Sequence, residues 1–432
     1  MILGVLSDFF LLREPNLKLV VTGTILLCAI AGFVGSFTFL RKRSLSGDVV
    51  AHSVLPGICL AFILSGEKNN LVLMLGALIT GLLSLGMMEW ISRRNIARPD
   101  TALSLMLSGF FGLGIVLLTF IQHNGNAAQA GLDRFIFGKA AAISTADVSL
   151  IQFTTLGILA VIIVFKRGLY AISFDEEFAR SSGFPILVLR AVLSVCTVWV
   201  VTIGIQAVGA VLMAALLITP ALAARFWTQS LNAMLVLSAI FGALAGYAGS
   251  FVSFSAPQMP TGPWIVVTAT GIAGISMLLA PRRGIAARWY IHRRNRLKIR
   301  NENILKLFYQ IGEKSGNMQG RILKEDLLNN RAFKSEELES GLKKLVQQGK
   351  LSHELESYSL SDRGLAEAQR IVRLHRLWEL YLQKYLHLAP DHVHDDAEAI
   401  EHVITPEIEA QLEQLLGNPS IDPHNTVIPP RR

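Results

Sequence analysis

The chain has 432 residues, is 52% hydrophobic and only 17% charged, and has a mean hydropathy of +0.46; soluble domains carry roughly 25% charged residues. Its formal charge of +8 is unevenly spread: residues 282–300 hold eight basic residues and no acid, whereas residues 301–432 hold 16 Lys and Arg against 21 Asp and Glu, a balance of −5. These figures exclude a single soluble domain. The three cysteines, Cys28, Cys59 and Cys196, sit in apolar runs and offer neither a disulfide framework nor a CxxC site.

Nine segments approach the roughly 20 apolar residues that a spanning helix needs: 18–40, 47–65, 70–91, 102–122, 147–165, 187–205, 207–224, 231–254 and 262–281. The pair over 187–224 reads either as a tight hairpin or as one broken helix, so eight or nine spans are expected. The first segment lacks the basic region and cleavage site of a secretory signal. Basic loops at Arg41-Lys42-Arg43, Arg93-Arg94 with Arg98, Lys166-Arg167 and Arg282-Arg283 fall on one side if the spans alternate. The positive-inside rule then puts the N-terminus outside and the tail in the cytoplasm. Small residues such as Gly204, Gly209, Gly242, Gly246 and Gly249 suit close helix packing in lipid. Pro56-Gly57 and Pro220 require neighbours or a cavity to satisfy the backbone groups that proline frees.

The basic stretch 282–300 reads as a juxtamembrane linker that attracts anionic lipid. Beyond it, helices are expected over 301–314, 320–329 and 335–349, with Ser335 as N-cap and Gly349 as stop. A small β-ribbon follows over 350–361, then a long helix over 363–387 and shorter ones over 393–403 and 406–416. Helix–helix–helix–ribbon is the order of a winged helix. The expected domains are therefore a transmembrane domain 1–281, the linker 282–300, a winged-helix-like domain 301–362 and a helical domain 363–432.

Within the apolar part, Asp48 and His52 lie four apart and share a helix face. Ionisable groups at membrane depth cost roughly 2.5–3.5 kcal/mol on insertion scales and commonly line a pathway; carboxylate plus imidazole suits Mn, Fe or Zn. The other reading is a helix cap at Asp48 and a carbonyl-bonded His52. Glu89 reads as an interfacial ion-pair partner. The loop 174–185, ended by Gly183 and Pro185, is either a plain connector or a short surface helix that docks on a partner. The chain lacks a G-x-x-x-x-G-K-[ST] loop, so any ATP hydrolysis belongs to another subunit. In the tail, His375 and Glu379 share a helix face, and Glu398 neighbours Glu401 and His402. This is either an N/O metal site or a set of solvated charges. The helix that would enter a DNA groove opens with Glu336, Glu337 and Glu339, which repel phosphates; DNA binding is not expected.

Leu40 through Gly57, Phe174 through Gly183, the run Gly209–Pro220 and Pro260–Pro263 together resemble permeases of the manganese/zinc/iron family of ATP-binding-cassette importers. The resemblance spans residues 18–281. It implies an all-α polytopic permease of the type II importer kind in a bacterial cytoplasmic membrane. It also implies cytoplasmic ATPase subunits, an extracytoplasmic metal-binding protein and a second permease copy or paralogue. Under it, Asp48 and His52 coordinate the transported metal. Phe174, Asp175, Glu176, Glu177, Phe178, Ala179, Arg180 and Gly183 belong to a coupling helix seated on the ATPase.

Leu360–Gly364, Arg373–Glu379 and Val393–Val403 resemble the iron- or manganese-dependent metalloregulators, a likeness covering residues 300–430. It implies metal ligands at His375, Glu379, His394, Glu398, Glu401 and His402, with Glu398 resembling the manganese branch. Asn303 and Lys306 stand where that family's first helix supplies further ligands, which alters the site. The combined expectation is a divalent-metal permease, Mn(II) first and Fe(II) or Zn(II) after it, with a cytoplasmic metal-sensing or dimer-stabilising module. Two alternatives stay open: a bifunctional chain whose tail acts as a metal-dependent repressor, and a non-transporting membrane anchor for a sensor.

Overall fold

The computed structural model describes residues 9, 14–41, 43, 46–67, 69–123, 138, 140, 143–255, 259–281, 283–330, 333–386, 406–417, 419–424 and 426–430. They form two compact units, 1–288 and 289–432.

Unit one is helical: α1 (Pro15–Leu40), α2 (Ser46–Ser65), α3 (Asn70–Arg93), α4 (Pro99–His123), α5 (Thr145–Val164), α6 (Lys166–Phe174), α7 (Glu176–Ser181), α8 (Ile186–Val208), α9 (Ala210–Trp227), α10 (Leu231–Ser255) and α11 (Thr261–Leu279). Among the described residues eight of these are long and apolar enough to cross a membrane, and α9 is a shorter apolar ninth. The ambiguity over 187–224 resolves at one residue. Gly209 separates α8 from α9 with φ 96° and ψ 159°, a conformation essentially restricted to glycine.

Two groups of helices pack together in this unit. Helices α1, α9, α10 and α11 form one, and α2, α3 and α4 the other, with α8 touching both. Water cannot satisfy polar groups in lipid, so hydroxyls do so across helices. Ser36 and Ser238 hydroxyls meet at 2.7 Å and Thr24 and Ser250 at 2.9 Å, joining α1 to α10. Between α2 and α3 the backbones themselves touch. A Cβ at Gly57 would lie 2.1 Å from the Gly76 carbonyl oxygen, and one at Gly76 would lie 2.4 Å from that of Gly57.

Unit two opens within α12 (Ile285–Ser315). The expected linker is thus helical from Ile285. Residues 285–300 contain no Gly or Pro and are rich in helix formers, and Lys298 pairs with Glu302 at 3.7 Å. There follow β1 (Ile322–Leu323), α13 (Lys324–Asn330), α14 (Ser335–Gln347), β2 (Leu351–Glu354), β3 (Ser357–Leu360), α15 (Asp362–Leu386) and α16 (Pro406–Leu416). The antiparallel sheet has the order β1-β3-β2, which completes a winged helix. Strand β1 replaces the start of the helix expected over 320–329, because Ile322 and Leu323 pair with Tyr358 and Ser357, distant in sequence. Lys334, not Ser335, is the N-cap of α14 and caps with no side chain; Glu336 and Glu337 in the first turn supply the charge that favours a helix N-terminus. Gly349, at φ 68°, ends α14 as expected. The helix expected over 393–403 lies outside the described residues.

The core of unit two joins Ile304, Leu305 and Phe308 of α12 to Leu338, Leu342 and Leu345 of α14. The three α14 leucines are fully buried, each contributing about 1.5–3 kcal/mol.

Candidate functional site

Asp48 sits in the first turn of α2 and His52 one turn on. His52 Nε2 lies 3.5 Å from Asp48 Oδ1, with the two side chains 18% and 34% exposed. The His52 ring meets Phe111 of α4 edge-on at 4.8 Å between centroids. Pro56 lies inside α2 and has no N–H to offer the carbonyl four residues back, which is that of His52. Ser53 Oγ of α2 and Thr202 Oγ1 of α8 are buried with no hydrogen-bond partner. Among the described residues no three His, Cys, Asp or Glu side chains gather as a complete metal cage.

At the end of the unit where α1 finishes, charges converge from four stretches of chain. Glu89 of α3 is 2.8 Å from Arg190 of α8, 3.4 Å from Arg93 and 3.6 Å from Arg43. Glu176 of α7 pairs with Arg190, with Arg180 at 3.7 Å and with Arg41 at 3.9 Å. The expected ion-pair role of Glu89 is thus present. Its partners Arg43 and Arg190 come from remote sequence and carried no local signal. Arg94 instead lies over Trp90 at 5.3 Å.

The expected short surface helix at 174–185 exists as α7. Asp175 caps it, accepting from the Glu177 and Phe178 amides at 2.9 and 3.0 Å, and Gly183 closes it at φ 81°. The two sides differ. Ala179 is fully buried and Glu176 points to Arg190, whereas Phe174 and Phe178 are 64% and 63% exposed. Phe174 at the end of α6 and Phe178 on α7 make an exposed apolar contact surface.

In unit two His375 and Glu379 meet on α15 as expected, His375 Nε2 lying 3.0 Å from Glu379 Oε1 with both side chains at most 5% exposed. Lys306 Nζ of α12 lies 3.0 Å from the other ring nitrogen, His375 Nδ1. His394, Glu398, Glu401 and His402 lie outside the described residues. On α14, Glu339 accepts from Lys343 at 2.8 Å and from Lys324 at 3.1 Å. These two hydrogen bonds push its carboxyl down to about 2 and occupy two of the cations that a phosphate backbone would need.

Residues 14–280 match the ABC 3 transport family. Residues 361–430 match the metal binding and dimerisation domain of iron dependent repressors. The manganese transport system membrane protein MntC of Bacillus subtilis is 37% identical, over 88% of this chain and 86% of its own length. The zinc transport system membrane protein TroC of Treponema pallidum is 41% identical over 68% of this chain and 97% of its own. Among solved structures, PsaBC from Streptococcus pneumoniae in complex with Fab superposes with a TM-score of 0.58 at 32% identity, covering 66% of this chain and 98% of that one.

Proposed function

This chain belongs to the ABC 3 transport family, and from that premise we propose that it is the permease subunit of an importer carrying a divalent transition metal across the bacterial cytoplasmic membrane. Mn(II) is the first candidate; Fe(II) and Zn(II) follow. The observation that carries the reading is the Asp48–His52 pair, held on one face of α2 in a bundle of apolar helices. Carboxylate and imidazole are a mixed O/N set suited to these ions. Two side chains fall short of the about six donors that Mn(II) takes, so water or a second permease copy completes the shell. A pathway needs that weakness, since an ion must leave as readily as it enters. The unpartnered hydroxyls of Ser53 and Thr202 fit a polar route beside the pair.

ATP is hydrolysed by separate cytoplasmic subunits that seat on Phe174 at the end of α6 and Phe178 of α7. The Glu176–Arg190–Glu89 chain carries their motion into α8 and α3. The basic loops support a cytoplasmic position for this face and an N-terminus outside, where an extracytoplasmic protein delivers the metal. The C-terminal unit is a cytoplasmic module that stabilises a permease dimer; the acidic opening of α14 and the engaged lysines around Glu339 favour this over a repressor. Metal-resolved uptake by the complex reconstituted with its ATPase and binding protein tests the reading. Saturable Mn(II) uptake that fails in Asp48→Ala/His52→Ala supports it. Complete absence of uptake would leave a membrane anchor for the C-terminal unit. Truncation after Gly284 tests the module: unchanged uptake and unchanged subunit association would remove its assigned role.

A further inference from the structure

The repressor domain that residues 361–430 match is a metal-binding one, and the buried His375–Glu379 pair on α15 is the place to test whether this chain fits an ion. It does not. The Lys306 ammonium carries only hydrogens and can only donate, so at 3.0 Å His375 Nδ1 must be the acceptor. The ring's remaining nitrogen, Nε2, is 3.0 Å from a Glu379 carboxylate oxygen. A carboxylate only accepts, so Nε2 carries the ring proton. One ring nitrogen thus spends its lone pair on an ammonium and the other has none to give. Lys306, His375 and Glu379 are 1%, 4% and 2% exposed, so the three are locked among packed neighbours. A divalent ion placed here would also sit within hydrogen-bond distance of a fixed positive charge, where like charges repel strongly.

We propose that Lys306 is a cation built into the chain that takes the place of a divalent metal between α12 and α15, making this centre of the C-terminal unit a metal-independent clamp. The surroundings of α15 follow the same plan. Arg376 reaches Glu313 of α12 at 2.7 Å and Asp422 at 3.4 Å. Arg370 reaches Glu409 of α16 at 3.2 Å, and Arg373 holds Glu413 and the Pro429 carbonyl. Glu409, Glu413 and Asp422 are themselves buried. Side-chain charges thus bind α15 to α12 on one side and to α16 and the final segment on the other. A module assembled this way stays assembled whatever the cell's metal level, so it reports no metal through His375.

The test uses the full chain in detergent, titrated with Mn(II) while free Mn(II) is followed by its electron paramagnetic resonance signal. The expected result is the same isotherm for the wild type and His375→Gln, and one additional ion per chain in Lys306→Glu that His375→Gln removes. Loss of one bound ion per chain when His375→Gln is made in the otherwise wild-type protein overturns the proposal. A second measurement does not depend on any variant folding well: hydrogen exchange over residues 362–386 of the wild-type chain, in EDTA and in excess Mn(II). Equal protection is expected. Protection that rises with Mn(II) in the wild type, and no longer does so in His375→Gln, overturns it.

Discussion

The membrane unit and the C-terminal unit each carry a histidine and a carboxylate four residues apart on one helix. Asp48 and His52 stand 3.5 Å apart, partly open, with the Phe111 ring edge-on to His52. His375 and Glu379 stand 3.0 Å apart, sealed in, with an ammonium on the far ring nitrogen. Spacing alone makes the two pairs equivalent metal-site candidates. What separates them is the third group, and that group comes from another helix. A proposed metal-binding pair and a clamped pair are the same local motif with different company.

The sharpest way to break this comparison is to remove that company. Lys306→Met removes the buried ammonium that bonds His375 Nδ1 and should lower the stability of the C-terminal unit by ~1–3 kcal/mol, measured by chemical denaturation in metal-free buffer; Lys306→Arg should recover part of it. Next in size, Asp48→Ala with His52→Ala should cut metal uptake by ~100-fold or more, since even groups one step removed from a metal commonly cost 10–100-fold. The purified chain should melt at an unchanged temperature. His375→Gln should leave uptake within about twofold of wild type, because His375 belongs to the other compact unit and, as a clamp residue, holds no transported ion. Equal damage from the two histidine substitutions would erase the distinction.

A smaller effect is expected at α7. Phe178→Ser removes an exposed aromatic from the proposed ATPase seat, and losing such an anchor commonly costs ~2 kcal/mol of association; binding of the purified ATPase to the permease in nanodiscs measures it. The smallest concerns pH. The folded-state carboxyl of Glu339 is pushed down to about 2 from an ordinary 4.5. Its contribution is therefore fully present above pH 4.5 and fades as pH falls through about 2. Glu339→Gln should flatten the acid limb of the unit's unfolding curve slightly, with its small loss of stability seen at neutral pH and vanishing as pH falls through about 2.

The two units differ as much in legibility. Eight spans and the amphipathic helices of the tail follow from the period and length of apolar runs, and α16 and the stop at Gly349 fall where expected. Strand β1 did not, since two residues become a strand only through partners 34 or more positions away. The extension of α12 through the basic stretch was hidden because positive charge reads as a linker when its helix-forming residue types are overlooked. In the site, Asp48, His52 and the α7 segment were visible as local patterns. The convergence of Arg41, Arg43, Glu89, Glu176 and Arg190 was not, because the loop after α1, the end of α3 and the 176–190 region are far apart in sequence. Lys306 was visible as a misfit; that it caps His375 required the packing of α12 on α15.

The charge junction beside α7 has a lopsided tolerance to error. Glu89 faces Arg43, Arg93 and Arg190, and Glu176 faces Arg41, Arg180 and Arg190. Any one arginine can be lost by chance mutation and each carboxylate still has two partners. Losing either carboxylate strands several guanidiniums together with nothing between them. Over many generations the arginines of this junction are free to drift one at a time, while Glu89 and Glu176 stay fixed; a library scored for metal-limited growth should show that asymmetry directly.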